Sequence, residues 1–266
     1  MRRVLPGLFT RMLPALVVLA MASQSSNAQA QGYKAPRTMD GHPDLQGIWQ
    51  VLNTASFDLE DHGATLGVPA GLSVVEGGDI PYKPEALARR KQNFERRLTA
   101  DPATKCFLPG VPRVTYMPFP FQILQNAEGM VIVHEYVGTT RAIYMSGPGL
   151  HGSHSEFEGT MMGDARGKWE GDTFVVDNVG FNDETWFDAS GNYHSDALHV
   201  VERFTRTGPD HMRYEATIED PQVFTRPWKI GMTLYRRQEK PLRLLEYLCS
   251  HDLDVAKVAA KSRGGK

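Results

Sequence analysis

Cysteine is nearly absent from this chain, two in 266 residues, which excludes a small domain held together by a disulfide framework. Long apolar runs are absent too. The longest, Met12 to Ala22, falls well short of the roughly 20 residues a membrane-crossing helix requires, so no integral membrane segment is expected. No excess of positive charge exists, with 29 Lys and Arg against 31 Asp and Glu, and a nucleic-acid partner is therefore not expected. No phosphate-cradling glycine motif, H-E-x-x-H pair or G-x-S-x-G turn occurs, which removes the nucleotide, zincin and nucleophile-elbow readings. With 41% apolar residues the chain has enough material for a core, so a disordered chain is excluded as well.

Arg2, Arg3 and Arg11 precede the short apolar stretch, and a small polar run then ends in Ala28-Gln29-Ala30. This is the pattern of a secretory signal peptide over residues 1–30, and the expected location is secreted or periplasmic. Cleavage removes three arginines and no acid, leaving a more acidic mature chain. In an oxidising compartment, Cys106 and Cys249 are expected to form one structural disulfide. On the chain-entropy account, closing so long a loop stabilises a fold by at most roughly 5 kcal/mol. Neither belongs to a C-x-x-C pair, so a redox role is not expected.

Residues 31–266 read as a single β-barrel domain: a leader, first strand, irregular loop and helix over 31–113, the main meander over 114–250, and a tail over 251–266. The long irregular excursion runs from Asp61 to Lys83, rich in Gly and Pro. The spacing predicts one N-terminal helix, Pro84 to Leu98, with Leu87, Phe94 and Leu98 as its apolar stripe. Arg89, Arg90, Lys91, Arg96 and Arg97 form a solvated opposite face.

Beyond Cys106 the apolar period changes to two. Strands are expected at Leu45–Leu52, Phe121–Asn126, Met130–Val137, Arg141–Ser146, Thr173–Val179, Leu198–Thr207, His211–Glu219, Lys229–Arg237 and Leu242–Ser250. Short turns and the lack of intervening helices call for a mainly β fold, an antiparallel meander closed into a barrel or folded as a sandwich. Alternation places Leu198, Val200 and Phe204 inside, then Met212, Tyr214, Ala216 and Ile218, then Ile230, Met232 and Leu234. Glu202 and Arg236 fall on the same inner faces, where a charge is costly unless it is paired.

Gly47-Ile48-Trp49 opens the first strand and resembles the Gly-x-Trp signature of lipocalins and related calycin barrels. That resemblance implies a calycin-like barrel with Trp49 on its floor beneath a late-strand Arg, for which Arg236 is the candidate. Longer runs resemble a family of uncharacterised secreted bacterial proteins: Pro43 to Trp49, Cys106 to Arg113, Trp169 to Thr173, His194 to Leu198 with Glu202-Arg203-Phe204, and Glu219-Asp220-Pro221. This second resemblance implies export and a single domain, and no mechanism.

Chemistry is read from the inner faces and strand ends. Glu202, His194 and Tyr144 are the catalytic candidates for acid–base work in the barrel, with Arg141, Glu135 and Trp169 as substrate-binding candidates. The structural alternative bonds Glu202 to Arg141 or Arg236. Asp177, Asp188 and Asp220 lie in turns or strand ends, where Asp caps backbone. A metal site built from His151, His154, His194, His199 and Glu202 is outweighed by a reading of these as loop and turn histidines. No cofactor is expected. The expected partner is a small organic molecule, met either by a lyase, isomerase or hydrolase working inside the barrel or by a non-catalytic carrier of an amphipathic ligand. A filled structural barrel is the third class.

Overall fold

The computed structural model describes residues 33–65, 68–146 and 159–247. The segment read as a signal peptide, His151, His154, Cys249 and the tail 251–266 all lie outside them.

Nine strands close into one barrel: β1 (Gly47–Val51), β2 (Phe121–Asn126), β3 (Gly129–His134), β4 (Thr140–Met145), β5 (Asp164–Glu170), β6 (Thr173–Val179), β7 (His199–Gly208), β8 (His211–Glu219) and β9 (Trp228–Arg236). Closure comes from β1 pairing antiparallel with β9, Trp49 opposite Arg236 and Val51 opposite Leu234. Alternation is the physical cause of the inner faces: β7 buries Val200, Glu202, Phe204 and Arg206 while the residues between them are less covered. Trp49, Phe121, Phe174, Phe204 and Tyr214 fill the interior with almost no exposed surface.

Four sequence expectations need correction. The expected strand Leu242–Ser250 is not a strand over its described residues, 242–247. The last strand is already covered along both edges, by β8 on one side and by β1 and the excursion on the other. Gly231 donates its N–H to Val74 O at 2.9 Å, and Glu76 donates to Lys229 O at 2.8 Å. Residues 242–247 instead cross the outside, where Leu245 N–H donates to Glu135 Oε2 at 2.8 Å and Tyr247 packs on Phe119 and Tyr136.

The second correction is β5, which alternation did not reveal. Its inner positions are Ala165, Gly167 and Trp169, so the apolar signal is weak. Gly167 is required there, because a Cβ would come within 2.4 Å of the Phe174 ring. Third, the meander is not wholly antiparallel. β4 and β5 pair in parallel, through Tyr144 opposite Arg166 and Met145 opposite Gly167.

The fourth concerns the helix, which forms as α1 (Pro84–Glu95) followed by a short α2 (Arg97–Ala100). Its buried positions are Ala86 and Asn93, whereas Leu87 and Leu98 are 39% and 64% exposed. The expected apolar stripe faces away because α1 docks on a polar loop. Asn93 Nδ2 donates to Gly191 O at 3.2 Å, and the Tyr193 hydroxyl donates to Ala86 O at 3.3 Å. Part of the basic face packs on rings, with Arg89 over Tyr193 and Arg97 over Phe94.

The two barrel ends differ. Trp49 lies on the floor, fully buried, its indole N–H donating to Leu45 O at 2.9 Å. The guanidinium of Arg236 sits 4.7 Å from the ring centroid, in keeping with a calycin-like barrel, and Arg206 lies 5.2 Å from it. The opposite end, where β2 and β9 begin, is covered by the buried turn Arg113–Tyr116 and by the loop carrying Phe181, Phe187 and His194. The Tyr116 hydroxyl donates to Phe187 O at 2.8 Å and ties the two covers together. Among the described residues no helix is long and apolar enough to cross a membrane.

Candidate functional site

The charged centre of the barrel is assembled from four strands. Glu202 on β7 has no exposed surface. Its Oε1 accepts from Arg141 Nη1 at 3.2 Å and from the Tyr214 hydroxyl at 2.8 Å. Its Oε2 accepts from Arg141 Nη2 and from Asn178 Nδ2, the latter at 3.0 Å. Asn178 is held in turn by Arg141 Nη2, which donates to its Oδ1 at 2.5 Å, and by its own donation to Val200 O at 3.0 Å. Burial and the neighbouring Glu202 carboxylate push the Tyr214 hydroxyl well above its ordinary pKa, so it remains a proton donor to Glu202.

His134 on β3 adjoins this centre. Burial, reinforced by the Arg141 charge, pushes its pKa down to about 3. The ring is neutral, packs against Phe121 with centroids 5.3 Å apart, and leaves its buried Nε2 without a hydrogen-bond partner.

A carboxylate offers about four lone-pair sites, and each oxygen of Glu202 already accepts two hydrogen bonds. The group is an anchor for Arg141, Asn178 and Tyr214, with no free site at which to receive a substrate proton.

Of the other candidates, Arg141 is brought to Glu202, whereas His194 and Tyr144 are not. His194 lies in the covering loop, buried, with Nδ1 2.9 Å from Ser195 O and Nε2 2.7 Å from Thr185 Oγ1. The carbonyl can only accept, so Nδ1 carries the hydrogen and the Thr185 hydroxyl donates to Nε2. Burial lowers the His194 pKa and keeps the imidazole neutral. Tyr144 points outward and is 43% exposed, its ring 5.8 Å from the Arg166 guanidinium. Glu135 lies past the end of β3, against the C-terminal segment. Trp169 is on the floor side, stacked on His42 at 4.8 Å and tilted against Phe174 at 5.0 Å.

His199 faces outward between Asp177, at 2.5 Å, and Glu219, at 3.7 Å, away from His194. Among the described residues no group of three or more His, Cys, Asp or Glu side chains is placed to hold a metal.

A second buried carboxylate lies outside the barrel. Asp188 Oδ1 accepts from the backbone N–H groups of Ser190 and Asn192, at 3.0 and 3.1 Å. Its Oδ2 accepts from Leu59 N–H at 3.0 Å and Asn192 Nδ2 at 2.6 Å. Burial, with the Asp58 carboxylate adding to it, pushes its pKa up to about 7 against the pull of those donors. Asp188 thereby ties the segment that follows β1 to the covering loop. Asp220 likewise caps Ser195 and Gln222.

Two depressions lie on outer surfaces. One, of about 390 Å³, crosses the outer face of β2, β3 and β4 past Leu124, Val131 and Tyr144, with Gln125, Asn126 and Glu128 at its polar edge. The other, of about 420 Å³, is polar and flanked by Asn182, Asp183 and Asp196.

Asn178 and His134 are interior residues that sequence reasoning missed, and Tyr214, which alternation placed inside, was not linked to Glu202. Their signal was present, since each shares parity with its strand's apolar positions, Asn178 with Phe174 and Val176, and His134 with Met130 and Ile132. Comparison of the chain with protein-family models, with curated proteins and with solved structures finds no match.

Proposed function

We propose that this protein is an exported, disulfide-bridged, calycin-like barrel that binds a small amphipathic molecule without transforming it. The observation that carries the reading is the saturation of Glu202. A general base must hold a free lone pair within reach of a substrate proton, and both Glu202 oxygens are spent on Arg141, Asn178 and Tyr214.

The groove on β2–β4 supports the choice of ligand. Its volume, about 390 Å³, falls within the range of small-molecule sites. Exposed Leu124, Val131 and Tyr144 give it an apolar floor, and Glu128 with Gln125 and Asn126 gives it an acidic to neutral edge. The matching occupant has an apolar body and a neutral or cationic end. Export rests on the arginines and apolar stretch before Ala30. No free cysteine occurs among the described residues, which supports Cys106 pairing with Cys249.

The test is native mass spectrometry of the exported protein for a co-purified ligand, together with titration of a dansylated alkylamine. Val131→Arg is expected to lose the amine while melting as wild type. Glu202→Gln is expected to keep binding at temperatures where it stays folded. Amine binding untouched by Val131→Arg would remove the groove, and catalytic turnover abolished by Glu202→Gln in a fully folded protein would remove the non-catalytic reading.

A further inference from the structure

Two cations share the barrel floor, and among the described residues neither has a carboxylate within salt-bridge distance. Arg206 is nine-tenths buried and gives its N–H groups to neutral oxygens only: Asp44 O at 2.7 Å, the Tyr33 hydroxyl at 2.9 Å, Gly208 O at 3.2 Å and Pro209 O at 2.5 Å. Arg236 is held differently. Its guanidinium lies on Trp49, 4.7 Å from the ring centroid, and its Nη1 crosses Gly47 so closely that a Cβ there would come within 2.6 Å. Its Nε is buried and has no acceptor.

Asp44 and Asp210 act on Arg236 only through space, opposing the burial and the Arg206 charge that together lower its pKa. Buried charges are ordinarily paired, because desolvating an unpaired ion is costly. Arg236 is half-buried, with only its Nε covered, and its guanidinium beside the buried, carboxylate-free Arg206 leaves the floor short of negative charge. Since Nε is covered, the part of the fork left for a ligand is its Nη1–Nη2 edge, and a planar pair of oxygens fits such an edge with two parallel hydrogen bonds.

We propose that Arg236 binds a small oxyanion at the barrel floor, through the terminal nitrogens of its guanidinium, with Arg206 supplying a fixed positive field behind the Trp49 ring. The ligand chemistry is two oxygens sharing one negative charge, as in inorganic phosphate or the carboxylate head of an organic acid. This site is independent of the groove on β2–β4, since it faces inward at the floor and prefers the opposite charge.

The experiment follows the arginine Nε–H and tryptophan indole N–H resonances of the mature protein while sodium phosphate or sodium hexanoate replaces sodium chloride at constant ionic strength. Arg236 and Trp49 are expected to shift saturably. A response to phosphate alone supports a free oxyanion as the ligand, and tighter binding of hexanoate supports an organic acid. Arg236→Lys is expected to bind about tenfold more weakly, having kept the charge and lost the fork, and Arg236→Met is expected to lose binding. Should either variant fail to fold, the wild-type titration decides alone. No saturable shift with either anion, or the same affinity in a folded Arg236→Met, overturns the site.

Discussion

Arg141 on β4 and Glu202 on β7 are joined by two hydrogen bonds although their strands share no backbone ladder. Between them lies the thinnest join in the barrel, the parallel contact of β4 with β5 at two residue pairs. The side-chain clasp reaches past that join to β6, through Asn178, and to β7.

Breaking the clasp on one side leaves a buried guanidinium without its counter-charge. Glu202→Gln is therefore expected to lower unfolding free energy by about 3–5 kcal/mol, measured by urea denaturation. Replacing both partners, Arg141→Met with Glu202→Leu, is expected to recover most of that loss, because no unpaired charge remains. A single variant costing under about 1 kcal/mol would contradict the clasp.

Asp188 makes stability depend on pH in an unusual direction for a carboxyl group. Its pKa is about 7 in the fold against an ordinary 3.8, so between these values the folded chain holds a proton that the unfolded chain releases. The contribution is complete below about 4 and is lost as pH rises through 7. Asp58→Asn, which removes the neighbouring negative charge, is expected to flatten this decline in urea midpoints collected from pH 4 to 7. An unchanged slope would show that Asp58 does not act on Asp188.

His134 acts in the opposite sense. Its pKa of about 3 in the fold lies below the ordinary 6.5, so the unfolded chain takes the proton first, and stability is lost as pH falls below 6.5. His134→Phe keeps the ring against Phe121 and cannot titrate. The variant is expected to lose less stability than wild type between pH 6.5 and 3, and equal acid sensitivity would contradict the burial of a neutral imidazole.

Gly47 has φ of 133° and lies under the Arg236 guanidinium. Gly47→Ala therefore meets both backbone strain and a clash, and is expected to cost about 1–3 kcal/mol. Shortening the long side chain, Arg236→Ala on the Gly47→Ala background, is expected to relieve the clash and leave the strain. Calorimetry of the two variants separates the terms, and Gly47→Ala melting as wild type would show that the Arg236 guanidinium does not lie against Gly47.

Intact mass of exported protein tests the processing expected at the N-terminus and the thiol pairing. A chain beginning at Gln31, with no thiol open to alkylation before reduction, is the expected result. Two alkylated cysteines in native protein would remove the Cys106–Cys249 bridge.

Most of the barrel was legible because period-two alternation depends on local sequence alone, and it survives in β6, β7, β8 and β9. Asp164–Glu170 was not, since a strand whose inward positions are Ala165 and Gly167 has too little apolar mass to register. The α1 packing face escaped for a related reason: Asn93 and Ala86 meet a loop through hydrogen bonds, which no hydrophobic stripe announces. At the centre, Glu202 stood out as a charge among apolar neighbours, but its partners come from β4, β6 and β8. Only the closure of the sheet brings Arg141, Asn178 and Tyr214 to it, and sequence spacing carries no record of that distance.

The pairing of β1 with β9 has a kinetic consequence. Seven of the nine joins link consecutive strands running antiparallel, and five of them, β2–β3, β3–β4, β5–β6, β7–β8 and β8–β9, join strands separated by eight residues or fewer, whereas β1 meets β2 only across the excursion and the helix. The last join brings Val51 to Leu234 across most of the chain, and loop-closure entropy makes such contacts late. Trp49 would thus wait in a half-built sheet until Arg236 arrives. The strand synthesised first would be the one completed last, and the indole would change its surroundings in the final, rate-limiting phase of refolding.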